Sequence, residues 1–104
     1  MSSELFDLLR LGPADTSALR QLNTLFSAAF EDPDAYDGAP PPDNYVANLL
    51  AKEHVVVLVA LSGGDVVGGL VAYELEKFER ARSEFYIYDL AVAEAHRRKK
   101  LPRA

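Results

Sequence analysis

Two helices are indicated by the spacing of apolar residues in the first half of the chain. From Asp15 onward, the i, i+3, i+4, i+7 spacing of one helical face is kept by Ala18, Leu19, Leu22, Leu25, Phe26, Ala29 and Phe30. A second, shorter helix is predicted from Asp43 to about Lys52. Its inward-facing residues are Val46, Leu49 and Leu50. We expect side chains of Asp15 or Thr16, and of Asp43, to cap the first free backbone N–H groups of these helices.

Strands are indicated by the remaining apolar stretches. Residues 6–11 alternate loosely between apolar and polar side chains and lead into a Gly-Pro turn, which predicts a short first strand. Residues 55–61 and 66–75 are apolar runs on either side of a glycine-containing turn, which predicts a hairpin with both strands largely buried. Gly68 and Gly69 inside the second run indicate a bulge or the close approach of another backbone or a ligand.

A third strand of the meander is predicted at residues 83–92, after a charged connection. Strict alternation places Tyr86, Tyr88 and Leu90 on one face and Phe85, Ile87 and Asp89 on the other. Between the two helices, the run of prolines at residues 40–42 predicts a stiff, non-helical connection. The order of elements is therefore strand, helix, helix and a three-strand antiparallel meander, which is an α+β fold.

Composition narrows the class of protein. A chain of 104 residues with 49 % hydrophobic and 26 % charged residues has the profile of one small globular domain. It contains no cysteine, which excludes disulfides, a thiolate nucleophile and cysteine-based metal sites. His54 and His96 lack partners at metal-ligand spacing, so no metal site is predicted. No apolar run approaches the roughly 18 to 20 residues that cross a bilayer, so we expect a cytoplasmic protein without a membrane partner.

The charges are segregated along the chain. The formal net charge is −5, with acidic residues crowded between Glu31 and Asp43 and basic residues gathered at the end. An acidic middle disfavours nucleic-acid binding and suits a cationic ligand. The alternative is that the acidic segment is only a solvated loop and the basic end only a frayed tail.

The residues 84–92, Glu-Phe-Tyr-Ile-Tyr-Asp-Leu-Ala-Val, followed by Ala-His-Arg-Arg at 95–98, carry the most specific motif. This motif resembles the GNAT superfamily of acetyl-CoA-dependent N-acetyltransferases, most closely the aminoglycoside (gentamicin) 3-N-acetyltransferases. The resemblance extends over residues 6–98 and implies the N-terminal part of the GNAT fold. We therefore expect a truncated GNAT domain at residues 1–98 and a divergent basic tail at residues 99–104.

Acetyl-CoA is the cosubstrate that the resemblance implies. In the family the open backbone of this strand, here Leu90, Ala91 and Val92, bonds the pantetheine arm, and the turn that follows, here with Arg97 and Arg98, holds the pyrophosphate. The alternative is that the three residues are only a buried strand end. The tail lacks the family's glycines. An out-of-frame ending on a longer gene and a truncation with an unrelated basic end are two hypotheses for this difference.

Catalytic roles are also assigned by resemblance. Asp89 is the expected general base, with Glu84 as a weaker alternative, because a carboxylate beside the acyl-binding strand can take a proton from an attacking amine. Tyr88, or Tyr86, is the expected proton donor to the departing thiolate. Transfer is direct and needs no covalent enzyme intermediate. The alternatives are that Asp89 bonds only neighbouring backbone and that the tyrosines only pack in the core.

The acidic segment is the expected binding site for an aminoglycoside or another cationic amine. The predicted contacts are Asp32, Asp34, Tyr36 and Asp37, supported by the charge of Glu31. Three functions remain open from the sequence: an aminoglycoside N-acetyltransferase, an inactive fragment that self-associates through its exposed last strand, and a small binding module for cations or CoA-like ligands. We also expect a homo-oligomer.

Overall fold

The computed structural model describes residues 6–96, which form a four-stranded antiparallel sheet with helices packed against it. The strands lie across the sheet in chain order: β1 (Asp7–Arg10), β2 (Val55–Ser62), β3 (Asp65–Glu76) and β4 (Ser83–Val92). The helices α1 (Thr16–Phe30), α2 (Pro33–Asp37) and α3 (Asp43–Leu50) lie between β1 and β2 in the chain. The predicted α+β class and the antiparallel meander are confirmed. Within residues 6–96, no helix is long and apolar enough to cross a bilayer.

The core lies between the helices and one face of the sheet, which we call the inner face. Leu22 and Phe26 of α1 are fully buried, as the helical spacing predicts. They pack in one cluster with Val57 of β2. The predicted hairpin is more completely buried on the inner face; on the opposite, outer face Ala72 is buried, but Leu58 stays partly exposed to solvent. Burial of the inner face fixes the register of the strands, since a one-residue slip exposes every core side chain of a strand.

The predicted helix caps were wrong, because other partners compete for the two aspartates. Asp15 is the residue before α1, but its carboxylate accepts a hydrogen bond from the backbone N–H of Gly12 at 2.7 Å and caps no helical N–H. Asp43 is the first residue of α3, and its carboxylate pairs with the guanidinium of Arg20. The Asp15 and Asp43 side chains therefore connect α1 to neighbouring segments and do not cap a helix.

Helix α2 lies in the acidic segment, where the sequence predicted an irregular connection. Glu31 ends α1 in the left-handed conformation with φ 53°, and its N–H donates to the carbonyl of Ser27. The chain then starts a new helix at once: an Asp32 carboxylate oxygen accepts from the N–H of Ala35 at 3.3 Å, and Pro33 fills the first turn. Proline fits this position because the first turn of a helix uses no backbone N–H from it.

Glycines shape the β2–β3 hairpin at two points. Gly63 and Gly64 adopt φ values of 59° and 88°, so the tight turn uses the left-handed conformations that glycine adopts without strain. Gly69 marks a close approach, as predicted. A Cβ atom there would lie 2.7 Å from both Leu22 Cδ1 and the carbonyl oxygen of Leu58. Helix α1 can therefore pack directly on β3 because residue 69 has no side chain.

Candidate functional site

A bulge in β4 brings Asp89 to the inner face of the sheet. Val71 of β3 pairs with Asp89, and the next residue of β3 pairs with Ile87, so Tyr88 is an extra residue between the two pairs. Paired residues share a face, and Val71 packs against the core. The predicted grouping of Asp89 with Ile87 and Phe85 was therefore wrong. Strict alternation fails at the extra residue, and beyond it the faces are exchanged.

The carboxylate of Asp89 is held by Tyr36 of α2. The Tyr36 hydroxyl donates a hydrogen bond to Asp89 Oδ2 at 2.9 Å, and both side chains are half-buried. The Tyr36 ring is in turn fixed by two rings of α1: its centroid lies 5.8 Å from that of Phe26 and 5.9 Å from that of Phe30. Aromatic packing of this kind orients α2 over the end of the bulge.

The hydroxyl of Tyr36 is kept in its protonated form. Burial, the hydrogen bond to Asp89 and the negative charge of Asp89 raise the pKa of Tyr36 to about 12. Tyr88 and Asp32 add smaller contributions in the same direction, so both lie within electrostatic reach of this hydroxyl. A phenol that stays protonated at neutral pH acts toward the carboxylate as a hydrogen-bond donor.

Tyr88 joins the same cluster on the inner face. Its ring meets that of Tyr73 edge to face, with the two centroids 6.0 Å apart. Burial first, and then the neighbouring Tyr88, Tyr45 and Asp89, raise the pKa of Tyr73 above its ordinary value. The bulge thus gathers a carboxylate and two phenols at one place, and the Tyr88 side chain remains more than half exposed to solvent.

Glu84, the alternative catalytic carboxylate, lies apart from this cluster. It is bound by Arg82, whose Nη1 lies 2.7 Å from Glu84 Oε2, and by Lys77 at 3.8 Å. A rise of about 3.4 Å per residue puts Glu84 roughly 17 Å from Asp89 along the strand. The structure therefore brings together Asp89 and Tyr88 and leaves Glu84 in an exposed ion-pair network at the β3–β4 turn.

The predicted substrate contacts all fall in or next to α2. Asp32 and Asp34 are exposed, and Asp32 also caps the helix. Asp37 is the last residue of α2. Tyr36 differs from the three acids because its hydroxyl is already engaged by Asp89. The helix therefore presents negative charge to solvent beside the candidate base.

The predicted cofactor contacts lie at the end of β4. Leu90, Ala91 and Val92 pair with β3 on one side, and within residues 6–96 no further strand lies on the other side. Arg97 and Arg98 lie outside the described residues. A groove of about 660 Å³ runs between α1 and this end of the sheet. Its lining includes Gln21, Thr24, Ala28, Val66, Ala93 and Glu94.

Tyr73 and Phe30 also belong to this cluster, although the sequence analysis gave neither residue a role in the site. Tyr73 lies directly opposite Tyr86 on the neighbouring strand. The sequence feature that could have identified Tyr73 is its position two residues after Val71 on a predicted strand, because residues two apart on a strand lie on one face. Phe30 was predicted only as part of the apolar face of α1, because its packing against Tyr36 depends on the unpredicted helix α2.

Comparison with solved structures finds aminoglycoside acetyltransferases among the most similar proteins. HMB0005, from an uncultured soil metagenomic sample, is 46 % identical over 91 % of this chain and 62 % of its own, with a TM-score of 0.87. Meta-AAC0020, also from an uncultured soil metagenomic sample and solved in complex with sisomicin, is 34 % identical over 90 % of this chain and 60 % of its own, with a TM-score of 0.80.

A ribosomal-protein-alanine N-acetyltransferase from Brucella melitensis biovar Abortus 2308 shares the fold. It is 22 % identical over 89 % of this chain and 60 % of its own, with a TM-score of 0.64. The chain spans about three-fifths of the length of these solved relatives. No curated protein matches it significantly. The family model described as Acetyltransferase (GNAT) family matches residues 19–104, which is most of the sequence, and the chain therefore belongs to the GNAT acetyltransferase family.

Proposed function

We propose that this chain transfers an acetyl group from acetyl-CoA to an amine of an aminoglycoside, by resemblance the 3-amine. The observation that carries the proposal is the Asp89 carboxylate, held by Tyr36 on the inner face and flanked by the acidic helix α2. Two solved relatives are aminoglycoside acetyltransferases, and one of them was solved with sisomicin. A polycationic aminosugar fits a site that combines a base with several exposed carboxylates.

The chemistry assigns one role to each group. Amines are mostly protonated at neutral pH, so the ammonium first binds near the carboxylates of Asp32, Asp34 and Asp37. Asp89 then takes a proton from it, directly or through one water, and the freed nitrogen lone pair attacks the thioester carbonyl carbon. The carbon–sulfur bond breaks, the nitrogen gives up its second proton to solvent, and Tyr88 gives its hydroxyl proton to the departing thiolate. Solvent returns the proton from Asp89 to Tyr88, so the protein is unchanged after each turnover.

The cosubstrate site proposed here is the open edge of β4. Its backbone groups around Leu90, Ala91 and Val92 suit the extended amide chain of pantetheine, which binds as an added strand does. Support comes from the position of β4 at the margin of the sheet formed by residues 6–96. Arg97 and Arg98 follow at the distance along the chain where positive charge would meet the pyrophosphate.

A thiol-release assay tests the proposal. The chain has no cysteine, so any thiol that appears with acetyl-CoA and gentamicin is coenzyme A. We expect wild-type protein to release thiol only when the amine is present. Asp89→Asn should slow this release by about 10²- to 10⁴-fold, the range typical of a lost general base. Asp65→Asn makes the same chemical change at the exposed β2–β3 turn and should leave the rate unchanged.

The acidic helix gives a second test of the same proposal. If α2 attracts a polycation, raising the ionic strength should raise the KM for the aminoglycoside, because screening weakens attraction between exposed charges. The KM for acetyl-CoA should change less, and Asp34→Asn should reduce the salt effect on the aminoglycoside. A salt dependence that is identical in wild type and in Asp34→Asn would contradict this binding role.

A second candidate function is self-association through β4, without catalysis. Among residues 6–96 no strand pairs with the outer edge of β4, and the large apolar side chains Phe85, Tyr86, Ile87, Tyr88 and Leu90 are each more than half exposed. An exposed, apolar edge strand pairs readily with another chain, which also supports the expected homo-oligomer. Analytical ultracentrifugation of Ile87→Lys should then show fewer oligomers than wild type. Leu8→Lys, on exposed β1, is the matched control and should change little.

A further inference from the structure

Tyr36 makes contacts that differ from those of its acidic neighbours. A phenol has one proton to donate, and Tyr36 donates it to Asp89 Oδ2. The ring packs against Phe26 and Phe30, with both pairs of rings tilted relative to each other. Phe26 itself is fully buried in the core. Phe26 therefore anchors the Tyr36 ring to the core, while the partly exposed Phe30 packs beside it.

The Asp89 carboxylate can rotate about its side-chain bonds, and the hydrogen bond from Tyr36 restricts this rotation. Asp89 has two oxygens, and Tyr36 occupies Oδ2. Rotation about the Cβ–Cγ bond exchanges the two oxygens, and a donor fixed at 2.9 Å opposes that rotation. Oδ1 is then the oxygen that faces an incoming ammonium, and its direction is set before the substrate arrives.

We propose that Tyr36 is a positioning residue that fixes the orientation of the Asp89 carboxylate for proton removal from the amine. This inference rests on the proposed function, because it assigns Tyr36 to the reaction carried out at Asp89. It replaces the predicted role of Tyr36 as a substrate contact. Helix α2 then has two functions at once: its exposed acids attract the cation, and its tyrosine aligns the base.

The state of the hydroxyl agrees with this role. The pKa of Tyr36 is raised to about 12, first by burial and then by Asp89. The Tyr36 hydroxyl therefore keeps its proton at every pH at which an amine first binds as an ammonium and then loses a proton. Over that pH range the hydroxyl stays uncharged and remains the donor to Asp89 Oδ2.

A double-mutant cycle tests the positioning role. Tyr36→Phe keeps the ring that packs on α1 and removes only the hydroxyl. We expect it to lower the rate of thiol release about 10- to 100-fold, as expected for the loss of a hydrogen bond to a charged group. In an Asp89→Asn background the same substitution should have almost no further effect, because Tyr36 acts through Asp89. Ser83→Ala removes an exposed hydroxyl at the β3–β4 turn, where it donates to Glu74, and should leave the rate unchanged.

Two outcomes of the cycle would overturn the inference while leaving the proposed function intact. The first is an unchanged rate in Tyr36→Phe. The second is an equal loss in the wild-type and Asp89→Asn backgrounds, which indicates a general structural effect. Circular dichroism and urea unfolding of each variant distinguish such a loss from misfolding: Tyr36→Phe should lower the unfolding midpoint, because the hydrogen bond to Asp89 is lost, but should leave the spectrum of the folded protein unchanged.

A spectroscopic titration tests the hydrogen bond without any activity. With ¹³C-labelled tyrosine, the Tyr36 signal is assigned as the one that disappears in Tyr36→Phe. In Asp89→Asn the pKa of Tyr36 should fall from about 12 toward the ordinary 10.0, because the negative charge beside the hydroxyl is lost. An unchanged pKa overturns the pairing. Absence of thiol release by wild-type protein overturns the proposed function and the positioning role with it, while the titration still decides whether the two side chains are paired.

Discussion

Replacing Gly69 by alanine tests the packing that holds the candidate site together. Gly69 lies on β3, opposite Ala91 of β4 and beneath Leu22 of α1. An added methyl group would lie 2.7 Å from Leu22 Cδ1 and 2.7 Å from the carbonyl oxygen of Leu58. Leu22 is fully buried, so it has no free space to move into. Both the Leu22 side chain and the β2 backbone at Leu58 must therefore shift to admit the methyl group.

The magnitude follows from two opposing effects. Overpacking a core position costs about 1 to 3 kcal/mol. Replacing glycine by alanine also restricts the unfolded chain, which favours folding by about 0.4 to 1 kcal/mol. Here the clash involves a backbone oxygen as well as a side chain, so relaxation is limited. We expect the free energy of unfolding of Gly69→Ala to fall by about 1 to 2 kcal/mol.

Urea unfolding followed by circular dichroism measures this change. With a slope of about 2 kcal/mol per molar urea, the midpoint of Gly69→Ala should fall by roughly 0.5 to 1 M. The neighbouring Gly68→Ala is the matched control: its Cβ would lie 3.3 Å from the carbonyl oxygen of Ala91 and 3.5 Å from Val92 Cγ2, a milder contact. Equal midpoints for the two variants would refute the account of how α1 packs on β3.

Three further stability predictions use the same unfolding assay. Glu31→Gly should raise the free energy of unfolding by about 0.5 to 1 kcal/mol, because φ 53° at the end of α1 suits glycine. Arg82→Ala removes the ion pair with Glu84 but should cost less than about 1 kcal/mol, since both groups are partly solvated; a larger loss would contradict this. Because the folded pKa of Tyr36 is raised to about 12 from 10.0, its contribution to stability is present below pH 10 and is lost as pH rises toward 12. Tyr36→Phe should remove that part of the pH dependence.

The sequence pattern predicted the fold correctly where burial of apolar side chains determines the local structure. Leu22 and Phe26 were predicted on one helical face and are fully buried there. The predicted caps failed for a physical reason: Asp15 and Asp43 find partners elsewhere in the chain, and propensity gives no information about such competition. Helix α2 was missed because its start depends on a left-handed Glu31, a conformation that glutamate seldom adopts.

The candidate site residues were chosen from the sequence, but the geometry that brings them together was not predicted. Asp89 and Tyr36 were both selected from the sequence, yet they are 53 residues apart and nothing local predicts their hydrogen bond. The bulge at Tyr88 was also not predicted, because a strictly alternating pattern does not indicate where an extra residue is inserted. The bulge decides which face carries Asp89, and the hydrogen bond from Tyr36 holds its carboxylate there. The hydrogen bond and the bulge both arise from tertiary packing, and the spacing of apolar residues along the sequence does not predict either of them.

The central claim is that this chain acetylates a cationic aminosugar with Asp89 as the base. The most direct test is mass spectrometry of gentamicin after incubation with acetyl-CoA and the mass-verified 104-residue protein. The account predicts the gain of one acetyl group with wild-type protein and with Asp65→Asn, and almost none with Asp89→Asn. An unmodified antibiotic from folded wild-type protein, or equal acetylation by wild type and Asp89→Asn, would contradict it.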